Sequence, residues 1–214
     1  MCGRYAVKLP AGVLELPFVE ESEFPKLELP WEHYNVCPGI QAPILDKGGV
    51  LRSALWGLIP HWAKEPPKRP LINARLETAA TRASFRQAWT DQRCVVPTSG
   101  FYEWSEVDGK RAPYFIPPGG RGESLLWLAG LASYSKDDQR WSYTVLTEDS
   151  QGSPVHPYHD RMPVALRDAA AVTAWLQGGG DPGPRAILGD PYRVSPKMNA
   201  ASINDPSNLD PLEA

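Results

Sequence analysis

The sequence predicts an α+β chain, one domain over residues 1–214, built on a curved antiparallel sheet or barrel with a few short helices. Three observations carry this expectation. The 214 residues include 23 prolines, enough to cut most helices short. Short apolar runs alternate with turn residues along most of the chain. Helical spacing free of proline is confined to residues 75–89 and 168–177. With 42% hydrophobic and 22% charged residues, the composition allows a sizeable core and excludes disorder, collagen and coiled coil.

In chain order, Gly3–Leu9 reads as a strand at the very N-terminus. Residues 10–23 read as a weak amphipathic helix interrupted at Pro17. Ala42–Asp46 and Val50–Leu58 flank Lys47-Gly48-Gly49, a hairpin signal. Residues 66–70, Pro-Pro-Lys-Arg-Pro, form an extended loop. Arg75–Trp89 is the best helix, with Leu76, Ala79, Ala80, Ala83 and Ala88 on an apolar face and Arg82 and Arg86 together on another. Arg93–Pro97 and Phe101–Val107 are strands, and Asp108-Gly109 turns the chain into a further strand, Ala112–Ile116. Leu125–Ser133 and Trp141–Thr147 form an antiparallel pair. Asp168–Gln177 is a second helix stopped by three glycines, and Tyr192–Ser195 a last strand before a polar, Asn-rich tail.

The longest apolar stretch, Leu125–Ser135, is too short to span a bilayer. Arg4 and Lys8 are not followed by an apolar h-region, so no signal peptide is expected, and the protein is placed inside the cell, in the cytoplasm. Cys2, Cys37 and Cys94 are too few and too widely spaced for a disulfide framework or a zinc pattern. The net charge of −3 excludes a general polycation. Yet residues 64–93 hold seven bases against three acids, and fourteen of the 22 basic residues are arginine, the side chain that forks onto phosphate. That stretch reads either as a local anion-binding face or as a solvated helix face.

Cys2 follows the initiator methionine. Removal of Met1 leaves an amine and a thiol on one residue, with reference pKa values near 8 and about 8.5. A 1,2-aminothiol condenses with an aldehyde to a Schiff base and closes to a thiazolidine, a ring that lysine or an internal cysteine cannot make. The plainer reading is an incidental exposed cysteine. Glu103 lies between Tyr102 and Trp104. Facing inward it would be desolvated and become a usable acid or base; alternating outward it would be a solvated strand residue. His156 and His159 have a spacing that metals use, but no cysteine accompanies them, so a proton shuttle is the better reading and no metal or cofactor is expected. Asn73 either caps the helix that follows it or orients a substrate oxygen.

Six segments hold these residues in a fixed order. They are Met1-Cys2-Gly3-Arg4-Tyr5, Tyr34-Asn35-Val36-Cys37-Pro38-Gly39, Trp56-Gly57-Leu58-Ile59-Pro60 with Trp62, Ile72-Asn73-Ala74-Arg75-Leu76-Glu77-Thr78, Gly100-Phe101-Tyr102-Glu103-Trp104 and His159-Asp160-Arg161-Met162-Pro163. In these the chain resembles the SOS response-associated peptidase family, abasic-site shields on single-stranded DNA, over roughly residues 1–165. The rest matches more loosely, through Val194-Ser195 and the tail. Tyr5 stands where phenylalanine is usual and Cys37 where alanine is usual; His156 adds a second histidine upstream of the family position.

The resemblance implies the fold of that family and a covalent mechanism. Cys2 would take the ring-opened C1′ aldehyde of an abasic deoxyribose into a thiazolidine crosslink, with Met1 removed by the protein itself. Glu103 looks like the acid/base for ring opening and reversal, and His159 like the histidine of Schiff-base and strand-cleaving lyase chemistry. Asn73 looks like the asparagine that holds the sugar and the Cys2 end. Arg4, Arg75 and Arg161 would pair with phosphates, and Asn35 and Trp104 would shape the pocket. The expected partner is single-stranded DNA with abasic sites, bound by a monomer in the nucleoid with no membrane contact. Competing readings are a thiol peptidase acting on other proteins and a non-covalent reader of modified bases.

Overall fold

The computed structural model describes residues 2–212 apart from 11, 13–14, 20, 23–30, 64, 121 and 179, and describes 21–22 by backbone alone. The strands are β1 (Tyr5–Leu9), β2 (Glu21–Ser22), β3 (Trp31–Val36), β4 (Gln41–Asp46), β5 (Val50–Trp56), β6 (Asn73–Arg75), β7 (Arg93–Thr98), β8 (Gly100–Val107), β9 (Lys110–Ile116), β10 (Leu126–Ser135), β11 (Arg140–Asp149), β12 (Arg161–Pro163), β13 (Ala165–Leu166) and β14 (Tyr192–Arg193). The helices are α1 (Leu76–Ala79), α2 (Arg86–Asp91) and α3 (Ala169–Leu176), with short 3₁₀ turns at Pro196–Asn199 and Pro206–Leu209. The expected α+β architecture with short helices is what forms.

Five strands close into a barrel. β5 pairs with β4, β4 with β7, β7 with β10 and β10 with β11, all antiparallel. β11 then returns to β5 in parallel register, Trp141 opposite Ala54 and Tyr143 opposite Trp56. An odd number of strands cannot alternate direction all the way round a ring, so one pair has to run parallel. The expectation of an antiparallel sheet therefore fails at the closure, and also where β2 joins β5 and β6 joins β11. Both faces of the barrel strands are covered, and Ile44, Leu45, Leu51, Val95, Leu128 and Tyr143 are among their fully buried side chains.

A second, wholly antiparallel sheet has the order β14-β9-β8-β1-β3. The chain crosses from the barrel to this sheet between β7 and β8. Thr98 Oγ1 donates to the Ala6 carbonyl at 2.6 Å there, tying the crossing to β1. Gly100 makes the bend possible. It sits at φ +146, and a Cβ on it would collide with the Phe115 ring and the Ile116 carbonyl.

β11 is what brings distant residues together. One of its edges carries β5 and then β6, with Val145 opposite Asn73 and Thr147 opposite Arg75. The other carries β10 and then β12, with Asp149 opposite Arg161. The C-terminal half of β11 thus has the Asn73 strand on one side and the strand after His159 on the other.

Three sequence expectations are corrected. Of the helix expected over residues 10–23, positions 11, 13, 14, 20 and 23 lie outside the described residues, and Glu21–Ser22 pair with Val50–Leu51 as the strand β2 instead. Arg75–Trp89 is two short helices. The N–H groups of Thr81 and Arg82 both close on the Thr78 carbonyl at 3.1 Å, Thr81 Oγ1 adds a bond to it, and the chain leaves the helix to bury Phe85. Ala80 and Ala83 are exposed, and Arg82 lies in the bend between the helices while Arg86 opens α2. Asn73 caps no helix, because it lies in β6 and the N-cap of α1 is Arg75. Asp168, by contrast, caps α3 as its sequence position suggests, accepting from Ala171 N at 2.9 Å. Among the described residues no helix is long and apolar enough to cross a membrane.

Candidate functional site

Cys2 lies just ahead of β1, between the two sheets. β1 is held to β8 by its pairing of Tyr5 with Phe101, and Tyr102 N–H donates to the Arg4 carbonyl at 3.0 Å. From the barrel side, Asn73 Nδ2 donates to the Cys2 carbonyl at 2.8 Å. Asn73 Oδ1 is buried and has no hydrogen-bond partner, an acceptor left over beside Cys2. Asn73 therefore holds the Cys2 backbone, as the resemblance implies, and has capacity for one more donor.

Glu103 follows Tyr102 on β8 and is 2% exposed. The simple alternation reading fails because β8 is covered on both faces. Tyr102 packs in a small cluster with Phe115, Val194 and Met198, while Phe101 belongs to the main core. Burial pushes the Glu103 carboxyl up to about 7, with the chain's N-terminal ammonium opposing the rise. The Cys2 thiol is fully buried and is pushed far above the ordinary thiol range, first by burial and then by the charge of Glu103. A group half-ionised near neutrality thus stands beside a thiol that stays protonated.

His159 is on the turn that leads into β12. Burial lowers its pKa. Its Nδ1 lies 2.9 Å from the Arg161 N–H and 2.8 Å from Asp160 Oδ1. The neutral ring accepts from Arg161, and the protonated ring donates to Asp160, so both forms have a partner. His156 is exposed. Ser150 Oγ sits 3.2 Å from His156 Nδ1 and donates to the His159 carbonyl at 2.6 Å, fixing the turn between the two histidines. Among the described residues no cluster of His, Cys, Asp and Glu could hold a metal.

The arginines divide. Arg75 is exposed next to Asn73. Arg4 is committed to the tail: its Nη1 donates to the Met198 carbonyl at 2.5 Å and to Asn35 Oδ1 at 2.9 Å, and its Nη2 to the Asn199 carbonyl at 3.0 Å. Arg161 grips Glu77 with both Nη atoms, at 2.7 and 3.0 Å, and also bonds the Thr147 carbonyl. Asn35 is fully buried, its Nδ2 set among the carbonyls of Met198, Ala200 and Ile203 at 2.8–3.1 Å. Trp104 Nε1 donates to Asn199 Oδ1 at 2.7 Å. Cys2, Asn73, Glu103 and His159 come together, whereas Arg4, Asn35 and Trp104 anchor residues 198–203 beside that cluster.

Sequence reasoning gave no role to Glu77, Ser150, Arg111 or the tail. Glu77 lies in the same segment as Asn73, and its pairing with Arg161 of another segment was the available signal. The tail offers no local signal, since the side chains that hold it, Arg4, Asn35 and Trp104, lie about 95 to 195 residues away in the chain.

Cys2, Asn73 and Glu103 thus meet where a closed barrel joins an antiparallel sheet, an arrangement that points to a class of protein with a titratable cluster between two sheets. The chain belongs to the family described as SOS response associated peptidase (SRAP), whose sequence pattern matches residues 1–205. It is 31% identical over 182 residues to the abasic site processing protein YedK of Escherichia coli, covering 83% of this chain and 80% of that one. It is 35% identical over 176 residues to the abasic site processing protein YoaM of Bacillus subtilis, covering 78% and 75%. A crystal structure of a Bacteroides thetaiotaomicron protein superposes with a TM-score of 0.78 over 99% of this chain and 100% of that one at 22% identity, and so shares the fold.

Proposed function

We propose that this protein processes abasic sites by capturing them covalently on single-stranded DNA through Cys2, once Met1 has been removed by the protein's own peptidase-like activity. The observation that carries the reading is the buried Glu103 carboxyl, pushed up to about 7, beside the Cys2 thiol. The names of the relatives, abasic site processing proteins, support the substrate.

The chemistry follows from which groups hold protons near pH 7. Protonated Glu103 donates to the ring oxygen of the deoxyribose hemiacetal as its C1′–O bond breaks, and the C1′ hydroxyl returns its proton to the carboxylate, freeing the aldehyde and restoring the acid. The Cys2 amine adds to C1′, and the carbinolamine loses water with a proton from Glu103 or His159. The thiol then attacks the iminium carbon. The C=N electron pair returns to nitrogen, and the thiol proton passes to the Glu103 carboxylate. The sum is aldehyde plus aminothiol giving thiazolidine plus water. The thiol's raised pKa makes that base necessary, since little thiolate exists beforehand. Asn73 fixes the Cys2 carbonyl and offers Oδ1 to the sugar or the amine. Lyase cleavage is the competing exit: loss of the C2′ proton from the iminium, with His159 as the base, breaks the C3′–O bond.

Intact-mass measurement after mixing the protein with an oligonucleotide bearing one abasic site tests this. The expected product lacks Met1 and carries the DNA without added reductant. Cys2→Ser is expected to give only a borohydride-trappable Schiff base. A stable adduct from Cys2→Ser, or none from the unaltered chain, overturns the thiazolidine reading. A thiol peptidase would instead keep its activity with a blocked amine.

A further inference from the structure

Arg4 and Arg161, two of the three arginines that the motifs single out, are spent on tail carbonyls and on Glu77. A phosphate approaching Cys2 from the β8–β9 side needs another cation. Arg111, on β9, stands there. Its cross-strand partner is Glu106, which places it diagonally from Trp104 on the same face of the sheet. Its guanidinium lies 4.9 Å from the Trp104 ring centroid. The ring is itself held by Asn199, so Arg111 rests on a fixed platform. Its guanidinium is exposed and, among the described residues, makes no ion pair or hydrogen bond. Its charge reaches both Glu103 and His159.

We propose that Arg111 is a phosphate-binding residue of the Cys2 site and couples strand binding to the acid–base pair Glu103 and His159. The inference rests on the covalent-capture reading above. Arg111 favours the ionised form of Glu103 and the neutral form of His159, as any nearby cation does. The other charges on Glu103 are the N-terminal ammonium, which acts with Arg111, and Asp160, which acts against it. On His159 the N-terminal ammonium and Arg111 favour the neutral ring and Asp160 the protonated one. A DNA phosphate on Arg111 offsets its charge at each site. Both groups then hold their protons to higher pH, which is the state that ring opening and loss of water require. Undamaged solvent supplies no such phosphate, so the site is readied by the strand that carries the lesion.

The test compares the full-length unaltered chain with Arg111→Met and Arg111→Lys. Binding is read with single-stranded DNA holding a tetrahydrofuran abasic analogue, which has no aldehyde. Arg111→Met is expected to weaken binding about tenfold, one charged hydrogen bond, and to flatten the log–log salt slope by about 0.7. Arg111→Lys is expected to keep the slope. Crosslinking is read with natural abasic DNA and with free 2-deoxyribose, which lacks a phosphate. With free deoxyribose, the pH midpoint of Arg111→Met is expected above that of the unaltered chain, and with DNA the two midpoints converge. An unchanged salt slope overturns the phosphate contact, and an unchanged midpoint with free deoxyribose overturns the coupling. Failure of the unaltered chain to form an adduct with either substrate is a failure of the capture reading and is seen separately.

Discussion

At residue scale, the burial of Glu103 that the proposed capture uses comes at a cost in stability. Its folded pKa of about 7 stands above the ordinary 4.5, so the fold favours the protonated acid. The stabilising effect is therefore complete below about pH 4.5 and is lost as the pH rises through 7. The difference amounts to about 3 kcal/mol. Glu103→Gln is expected to equal the unaltered chain in stability near pH 4 and to exceed it by about 2–3 kcal/mol at pH 8, as denaturant melts at the two pH values would report. The same change is expected to slow crosslinking and its reversal by about 10²–10⁴-fold. A stability gap that does not grow with pH removes the buried-acid argument. The histidines separate similarly. His159→Ala is expected to lower strand cleavage at an abasic site by about 10²-fold, and exposed His156→Ala to leave it unchanged. The reverse outcome in a cleavage assay assigns the role to His156. Cys2 and Glu103 stood out as candidates because the chemistry they offer depends on a few neighbouring residues, although an incidental Cys2 and an outward Glu103 stayed open until the fold showed both buried. Arg4 and Asn35 were legible only as site residues in general, because what they hold, the carbonyls of residues 198–203, is remote in sequence.

At the scale of elements, strands and their turns were readable and the middle helix was not. The hairpin of β4 and β5 follows from Lys47-Gly48-Gly49, with Asp46 Oδ1 accepting from Gly48 and Val50 N–H at 2.8 and 3.0 Å. Alanine-rich spacing over 75–89 favours a continuous helix, but the barrel's demand for Phe85 outweighs that weak local preference. Arg93 shows what secures the two helices that flank the barrel. It is almost fully buried, with Trp89 and Trp175 rings 4.7 and 4.2 Å from its guanidinium. It donates to the Trp89 carbonyl at 2.8 Å and to the Trp175 and Gly180 carbonyls at 3.4 Å, ending α2 and α3 with one side chain. Arg93→Ala is expected to cost about 3–4 kcal/mol, from the lost stem, cation–π contacts and carbonyl partners. Arg93→Met keeps the stem and removes a buried charge, so about 1–2 kcal/mol is expected. Equal losses for the two in thermal or denaturant unfolding would show that the guanidinium and its carbonyl partners, not the packing of the stem, carry the effect.

At the scale of the whole molecule, the net charge of −3 means that DNA is not drawn in by bulk attraction. Affinity has to come from local cations on the face around Cys2. The resemblance suggested three arginines; of these Arg75 is exposed, and Arg111, exposed on the Trp104 ring, joins it in the proposal above. Two phosphate contacts on a single strand give a log–log salt slope near −1.4, at about 0.7 each. Arg75→Ala is expected to flatten it by about 0.7 and to weaken binding alike for every sequence, since a phosphate contact carries no base information. Strand state follows from burial. Cys2 and Glu103 are almost wholly enclosed, so an abasic sugar has to leave its neighbours to reach them. A duplex pays a few kcal/mol to unpair and unstack a nucleotide, and a single strand does not. Trp62, 60% exposed, is open to stack a freed base, worth about 1–3 kcal/mol. Crosslinking is therefore expected to be at least tenfold faster on an abasic site in single-stranded DNA than on the same site in a continuous duplex, a rate ratio of about 1.4 kcal/mol. Gel-resolved adduct formation on the two substrates, at several salt concentrations, measures both quantities. Equal rates on the two, or binding indifferent to salt, would place recognition in the bases and not in a cationic groove that takes a splayed strand.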